Sequence, residues 1–500
     1  MRILIIALLV TVNATAFAQH PVKLKIIHWN DFHAQNTPMT KWNASNEKTS
    51  IGGFAYFKAV IDSLKQVAAI NHEACMTLDA GDNFQGTAIS GFTRGASQIK
   101  LMNILHPDAV TLGNHEFDYG WTNIDSLIRY KATFAVTNSN ILLPNGKTFA
   151  QPYIIKQEGE LHVAIIGLTT DDLVNLSLPA NRQGLTITTC KDALKKYLPE
   201  IRKQKPDLII VLSHIGVDAD RELAKQFPEV NIFVGGHSHT PLQKPLKENH
   251  SVIVQAGSRG QYVGELELNI DTDGDSLLSY SGKLIETENS RIAPDPTIVQ
   301  QIDLMEVPIR AKLSETIGIL KKDWKNHEFG KSNLAAFEAM AFREATGSDI
   351  GVINYGGIRK PLSAGPITMN DIYEINPFGN ELVSFTLTGA EIRSSLEWMM
   401  SDKGHEACEF YGITCTVDTL KKEGERISDI LFAGKKIDAK KKYSVTTNIF
   451  VGTHLNANFG LNEDTHPFSH AGLTDRDVII DAIKKRKEIS GESEEWMKGL

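Results

Sequence analysis

Aspartate, histidine and asparagine recur in this chain where short apolar runs stop. Lys25-Ile26-Ile27-His28 leads into Asp31-Phe32-His33, and Met76-Thr77-Leu78 into Asp79-Ala80-Gly81-Asp82-Asn83. Ala109-Val110-Thr111-Leu112 leads into Gly113-Asn114-His115-Glu116-Phe117-Asp118. Leu208 to Leu212 leads into Ser213-His214, and Ile232-Phe233-Val234 into Gly235-Gly236-His237-Ser238-His239. Asp31, His33, Asp82, Asn114, His214, His237 and His239 are more ligands than one ion takes. Mixed carboxylate, imidazole and amide donors suit divalent Zn, Mn, Fe or Co. One carboxylate bridging two ions is the economical solution, and Asp82 lies between the other candidates in sequence. Two ions roughly 3.5–4 Å apart clamp the attacking and leaving oxygens of a phosphoryl transfer and lower the pKa of a shared water. The chemistry expected is hydrolysis of a phosphoester by a metal-bridged hydroxide.

The motifs differ in specificity. Asp31-x-His33 alone reads as a turn residue beside a surface histidine, and His214 alone as a satisfied core histidine. Gly113-Asn114-His115-Glu116 is far more specific, since the glycine permits a tight strand-to-loop turn beside an amide and an imidazole. Gly236-His237-x-His239 can face two neighbouring ions from one loop. It is the ordered combination that points to a polynuclear site.

The elements that must position these residues are legible as well. From Lys23 to about Glu288, apolar strands alternate with amphipathic stretches, with helices predicted over Phe54–Val67 and Lys191–Lys203. Near-continuous apolar strands indicate sheets covered by helices. In open α/β sheets the ligand site lies beyond the carboxyl ends of the strands, where each motif falls. The pattern breaks around Ile292-Ala293-Pro294-Asp295-Pro296. A helical connector follows from about Thr297 to Ser314, in which Pro308 predicts a kink or a break. A second α/β unit runs from about Thr316, with a capping box at Thr388-Gly389-Ala390-Glu391. The polar tail after Lys487 is expected to fray. The expected division is a leader at 1–18, a first domain at 19–290, a connector at 291–315 and a second domain at 316–500.

Composition bounds the partners. The chain has 500 residues, 42% hydrophobic and 22% charged, and a formal charge of −8. Ordinary composition at this length implies two or more soluble domains. The negative balance argues against a nucleic-acid polymer or an anionic membrane, and bound divalent cations would supply local positive charge for an anionic substrate. Arg2, the apolar run Ile3 to Val12, and Ala16-Phe17-Ala18 before Gln19 read as a signal peptide cleaved near Ala18. No other apolar stretch is long enough to span a bilayer, so a periplasmic or secreted protein without stable membrane insertion is expected. Of four cysteines, Cys408 and Cys415 flank an apparent turn and are candidates to pair, while Cys75 and Cys190 read as buried apolar residues.

The order Asp-x-His, Gly-Asp, Gly-Asn-His-Glu, His, Gly-His-x-His resembles the calcineurin-like metallophosphoesterases. Asn30-Asp31-Phe32-His33, Gly81-Asp82-Asn83-Phe84-Gln85-Gly86 and Gly113 to Asp118 resemble the 5′-nucleotidase family in particular. The resemblance implies a four-layer α/β/β/α sandwich followed by a C-terminal α/β substrate-binding domain. It implies one metal on Asp31, His33, Asp82 and His239, and another on Asp82, Asn114, His214 and His237. His115 is then left outside the ligand set, paired with Asp118, where a cationic imidazole stabilises the transition state and protonates the leaving alkoxide. The resemblance further implies a second domain that rotates about the connector.

Asn354-Tyr355-Gly356-Gly357-Ile358-Arg359 and Pro377-Phe378-Gly379-Asn380 resemble the family's substrate elements. By that resemblance Asn354 reaches a nucleobase, Arg359 binds the ribose or phosphate region, and Phe378 stacks on the base. Two departures stand out. The family's Gly-Gly-Asp-Gly-aromatic stretch is replaced by Val451 to Gly460, in which Phe459 is the candidate second aromatic. Lys325, His327 and Lys331 stand where the family carries arginines, and lysine lacks arginine's planar fork. The leading expectation is hydrolysis of nucleoside 5′-monophosphates. A 2′,3′-cyclic-nucleotide phosphodiesterase or a nucleotide-sugar diphosphatase is the alternative. A non-catalytic nucleotide-binding surface protein is a third reading, against which the intact ligand set argues.

Overall fold

The structure is a computed structural model that describes residues 21–42, 48–272, 276–325, 330–401, 407–491 and 495–499. The leader read at 1–18, and His327, lie outside the described residues. Two six-stranded sheets form the first half. In one, the parallel strands Pro21–Trp29, Ala74–Asp79, Ala109–Thr111 and Val136–Thr137 are flanked by the antiparallel pair Tyr262–Asp271 and Ser276–Glu286. In the other, Leu161–Thr169, Leu208–His214, Ile232–Val234 and Ser251–Val254 run parallel, with Tyr153–Glu158 and Leu246–Glu248 antiparallel at the edges.

The side-chain period of two decides how the layers stack. Leu24, Ile26, Met76 and Leu78 of the first sheet meet Val163, Ile165, Ile210 and Leu212 of the second in a dry inter-sheet core. The alternate residues Ile27 and Trp29 face outward, under Phe54, Phe57 and Leu64 of the helix Phe54–Ile70 and Ile298 and Ile302 of the helix Pro296–Leu313. On the far side Ile166, Val211 and Phe233 lie under Leu194, Leu198 and Ile201 of Cys190–Lys203 and Leu223 of Val217–Gln226. The order helix, sheet, sheet, helix is the expected four-layer sandwich.

The second half centres on a five-stranded sheet in the order Cys408–Tyr411, Ile350–Asn354, Lys442–Asn448, Glu381–Thr388, Ser469–Thr474. Helices Asn333–Thr346 and Asp475–Arg486 bury Phe342, Ile479 and Ile483 with Ile353 and Leu382 on one face. Helix Gly389–Met399 packs Ile392 and Leu396 with Phe385 and Val445 on the other, and its Thr388–Glu391 capping box is formed.

Four local expectations are narrowed or corrected. The connector helix Pro296–Leu313 runs through Pro308 without a break, started by Asp295, whose carboxylate accepts the Ile298 N–H at 2.9 Å. The chain after Lys487 does not fray where it is described. Glu488–Ile489 pairs with Thr316–Leu320, and Met497–Lys498 pairs with Ile413–Val417, with Trp496 and Met497 buried. Apolar anchors in a polar stretch override its composition. Cys415 is a free thiol pushed up to about 12 by burial, so the Cys408–Cys415 bond is not formed, and Cys75 is only partly buried.

Candidate metal centre and substrate cleft

Each ligand motif begins where a parallel strand ends and the backbone turns sharply. Asp31, His33, Asp82, His237 and His239 have φ of 50°, 47°, 59°, 78° and 54°, a left-handed conformation that non-glycine residues rarely adopt. Such strain persists only where the surroundings over-determine it. Here the Asp31 N–H donates to the Gly81 carbonyl at 2.8 Å and the His33 N–H to the Asp82 carbonyl at 2.9 Å. The Arg259 N–H donates to the Asp31 carbonyl at 2.7 Å. Two glycines allow close approach: a Cβ on Gly113 would lie 2.0 Å from Asp82 Oδ1, and one on Gly236 2.8 Å from His214 Nδ1.

The seven predicted ligands are brought together. Asp31 Oδ1 lies 3.2 Å from His239 Nε2, 3.8 Å from His33 Nε2 and 3.9 Å from His214 Nε2. Asp82 Oδ2 lies 3.1 Å from His214 Nε2. His33 Nε2 and His239 Nε2 face each other at 3.0 Å, and His237 Nδ1 faces Asn114 Oδ1 at 3.1 Å.

The donor set fits divalent cations. Asp31 Oδ2 accepts from Asn30 Nδ2 at 2.6 Å and from the His237 N–H at 2.9 Å, whereas its buried Oδ1 has no donor. His214 Nδ1–H donates to the Ala80 carbonyl at 2.7 Å, which leaves the Nε2 lone pair turned towards two carboxylates. An imidazole tautomer fixed by a backbone carbonyl is the usual support for a ligating histidine. Without a cation, Nε2 takes a proton in its place: burial disfavours charge on His214, yet Asp82 and Asp31 outweigh it and push its pKa up to about 10. Asp82 itself is held well below the usual carboxylate range by His214 and His115 against the effect of burial. Two buried carboxylates here draw in positive charge.

His115 stands beside this cluster. Its Nδ1 is 2.7 Å from Asp118 Oδ2, and its ring is 5.2 Å from His33 on one side and 5.8 Å from Phe378 on the other. Burial opposes charge on the ring, but Asp118 and Asp82 raise its pKa overall. His115 and Asp118 line a cleft of about 590 Å³ together with Asn354, Arg359 and Phe378. Asn354 is almost fully buried, with its Oδ1 accepting from Asn448 Nδ2 at 3.0 Å. The Arg359 guanidinium stands 5.8 Å from the Phe378 ring centroid. Lys325 and Lys331 do not line the cleft.

Phe459 is not brought to it. Its ring is 1% exposed and packs 5.8 Å from Phe410 in the core. The aromatic that reaches the cleft here is Phe450, which stands just before the segment 451–460. Its only signal in the sequence was a place at the end of the strand Lys442–Asn448. Three more residues have roles that the sequence did not disclose. Glu116 accepts the N–H groups of Asp82, Asn83, Phe84 and Gly113 at 3.0, 2.7, 3.3 and 2.7 Å. Gln255 braces the His237–His239 loop through the Gly236 carbonyl and Ser238. Arg259 donates to the Arg359 carbonyl across the two halves of the chain, its pKa lowered to about 10 by burial and by Arg359.

Comparison with known proteins follows this geometry. Residues 24–241 match the calcineurin-like phosphoesterase family, and residues 311–458 match the 5′-nucleotidase C-terminal domain. A 5′-nucleotidase of Vibrio cholerae is 27% identical over 94% of this chain and 92% of its own. An apyrase of Anopheles gambiae is 27% identical over 94% of this chain and 89% of its own. The crystal structure of a 5′-nucleotidase precursor from Thermus thermophilus superposes with a TM-score of 0.85 at 28% identity, covering 95% of this chain and 99% of that one. With both halves matched in order, the chain belongs to the 5′-nucleotidase family of the calcineurin-like metallophosphoesterases, metal-dependent hydrolases of phosphoric esters.

Proposed function

We propose that this chain is a 5′-nucleotidase that releases phosphate from nucleoside 5′-monophosphates with two divalent ions bound. One would be held by Asp31, His33, Asp82 and His239, the other by Asp82, Asn114, His214 and His237. The observation that carries the reading is the position of His115, whose ring lies between the ligand cluster and Phe378 and lines the cleft. A phosphate at the ligands would thus have its leaving oxygen beside a protonatable ring and its nucleoside directed along Phe378. Aromatic stacking of a base contributes about 1–3 kcal/mol. Bound divalent ions supply Lewis-acid polarisation of the phosphoryl oxygens and activation of the attacking water. Asp118 orients His115 and favours its cationic form, so the ring can donate a proton to the departing alkoxide. Arg359 offers a fixed positive charge at the cleft wall.

The same proposal assigns 19–290 to the catalytic domain, 291–315 to the connector and 316–500 to the substrate domain. It also makes the chain an exported protein, periplasmic or secreted, after cleavage near Ala18. Among the described residues no helix is long and apolar enough to cross a membrane.

A substrate panel on the purified protein tests the function. Phosphate release from AMP should vanish with chelator and return with Mn²⁺ or Zn²⁺. His115→Ala should keep its metal and lose about 10²–10⁴-fold in rate. Turnover of bis(p-nitrophenyl) phosphate, a 2′,3′-cyclic nucleotide or a nucleotide sugar without AMP hydrolysis would move the assignment to a diesterase or diphosphatase. Wild-type turnover by His115→Ala would remove the role given to that ring.

A further inference from the structure

His454 is 4% exposed and lies behind the cleft rather than in it. It follows the short helix Ile449–Gly452 of the second half. Its ring lies 4.7 Å from that of Phe450, tilted by 33°, and its Nδ1 is 2.7 Å from the Phe450 carbonyl oxygen. Its Nε2 is 3.3 Å from the carbonyl oxygen of Val174, a residue of the first half. Val174 belongs to the helix Leu173–Leu176, and the residues after it, Asn175 to Leu178, line the cleft opposite Phe450. The same carbonyl is oriented by Arg182, whose Nη2 donates to it at 2.9 Å.

Nδ1 also lies 3.2 Å from Thr453 Oγ1, whose own proton is directed to the Ile449 carbonyl at 2.8 Å, so both ring nitrogens of His454 face oxygen acceptors. A neutral imidazole has one N–H and one lone pair, whereas an imidazolium has two N–H donors. Two acceptors placed at the two nitrogens match the doubly protonated ring. We propose that His454 is a positioning residue that ties the two walls of the cleft together, most firmly when its ring carries both protons. The inference rests on the assignment of this cleft to the nucleotide.

The shorter Nδ1 contact keeps its proton in the neutral ring, so the contact given up on deprotonation is the one to Val174. The contact within the second half persists, and the contact between the halves is the one that depends on pH. Burial lowers the pKa of His454, the Phe450 and Val174 carbonyls raise it, Arg182 of the first half lowers it and Glu463 of the second raises it. The net direction is downward from the ordinary histidine value. The tie is thus complete only on the acid side of the lowered pKa and is lost as pH rises through it.

Hydrogen exchange on the metal-loaded, full-length protein reads the tie without substrate. Across a pH series, His454→Ala relative to wild type should speed exchange of the backbone amides of Leu173–Leu178 at the acid end, below the lowered pKa of the ring, and leave them unchanged at about pH 8. In turnover, His454→Ala should raise KM for AMP about three- to tenfold with kcat within about twofold, as expected for loss of one buried hydrogen bond. Hydrolysis of p-nitrophenyl phosphate, which does not span the cleft, should be unaffected. His454→Gln, a neutral donor at every pH, should abolish the pH dependence of KM that wild type shows. Equal exchange in wild type and variant at acid pH, or a parallel fall in p-nitrophenyl phosphate turnover, would overturn the proposal. Exchange coupling without AMP hydrolysis by wild type would leave the tie standing and remove the nucleotidase assignment instead.

Discussion

The two oxygens of Asp31 have different jobs. Oδ2 is consumed by Asn30 and the His237 N–H, which fixes the carboxylate plane, and Oδ1 is thereby aimed at His239, His33 and His214. Glu116 does the same work on a larger scale, since its carboxylate collects four backbone N–H groups from the turns that carry Asp82 and Asn114. Glu116→Gln keeps the shape but turns an NH₂ towards N–H donors. It should weaken metal affinity or turnover by about 10–100-fold, as loss of a supporting group around a metal site commonly does. Metal titration by calorimetry checks this, and wild-type affinity together with wild-type rate would refute it. The ligands were legible because their types recur in a fixed order after apolar runs. Glu116 and Asn30 stood inside the quoted motifs, but their supporting roles were not legible, because a supporting carboxylate or amide has no pattern of its own. Phe459 was misplaced for a related reason: aromatic type alone does not say whether a ring faces the core or a cleft, and Phe450, nine residues earlier, faces the cleft.

Elements were legible where hydrophobic period and caps agree. Phe54–Ile70 and Cys190–Lys203 form as the period requires, and Thr388 caps its helix as its sequence requires. No break forms at Pro308 in a helix started by Asp295 and anchored by Ile298 and Ile302 in its first half and by Leu313 at its end. The helix Asp475–Arg486 carries a feature with a measurable consequence. Asp475 at its first position is fully buried near a second buried carboxyl, Glu338, with Asn376 beside both. Burial pushes Asp475 up to about 7, and burial with Asp475 holds Glu338 well above the carboxylate range. A carboxyl whose folded pKa is raised stabilises the fold below its unfolded pKa of about 4 and loses that contribution as pH rises through the folded value. The second domain should therefore lose stability between about pH 4 and pH 8. Asp475→Asn should flatten that decline, leaving the share due to Glu338. Thermal unfolding of wild type and variant across this range decides the matter, and parallel curves would exclude Asp475 as the source.

At the scale of the whole molecule, specific contacts join the halves beside the connector. Arg259 donates to the Arg359 carbonyl, Phe92 stacks on Tyr373 at 5.1 Å, His115 meets Phe378, and His454 reaches Val174. The Arg259–Arg359 and His115–Phe378 contacts involve residues that line the cleft, and the His454–Val174 contact lies directly behind it, so the cleft runs along this seam. The topology of the first half has a consequence in time. Pro21–Trp29 lies in the interior of its sheet, bonded on one side to Ala74–Asp79 and on the other to Tyr262–Asp271, in the register Pro21 to Asp271. Pairing so distant in sequence is slow to form, because loop closure must precede the contacts that reward it. The first described strand of the domain therefore completes its pairing only when one of the domain's last strands is available, which delays the finished sheet. That delay suits a polypeptide proposed to be threaded through a membrane before it folds. Pulsed hydrogen exchange during refolding should show the Pro21–Trp29 amides gaining protection only together with those of Tyr262–Asp271, and early independent protection would show that the strand does not wait.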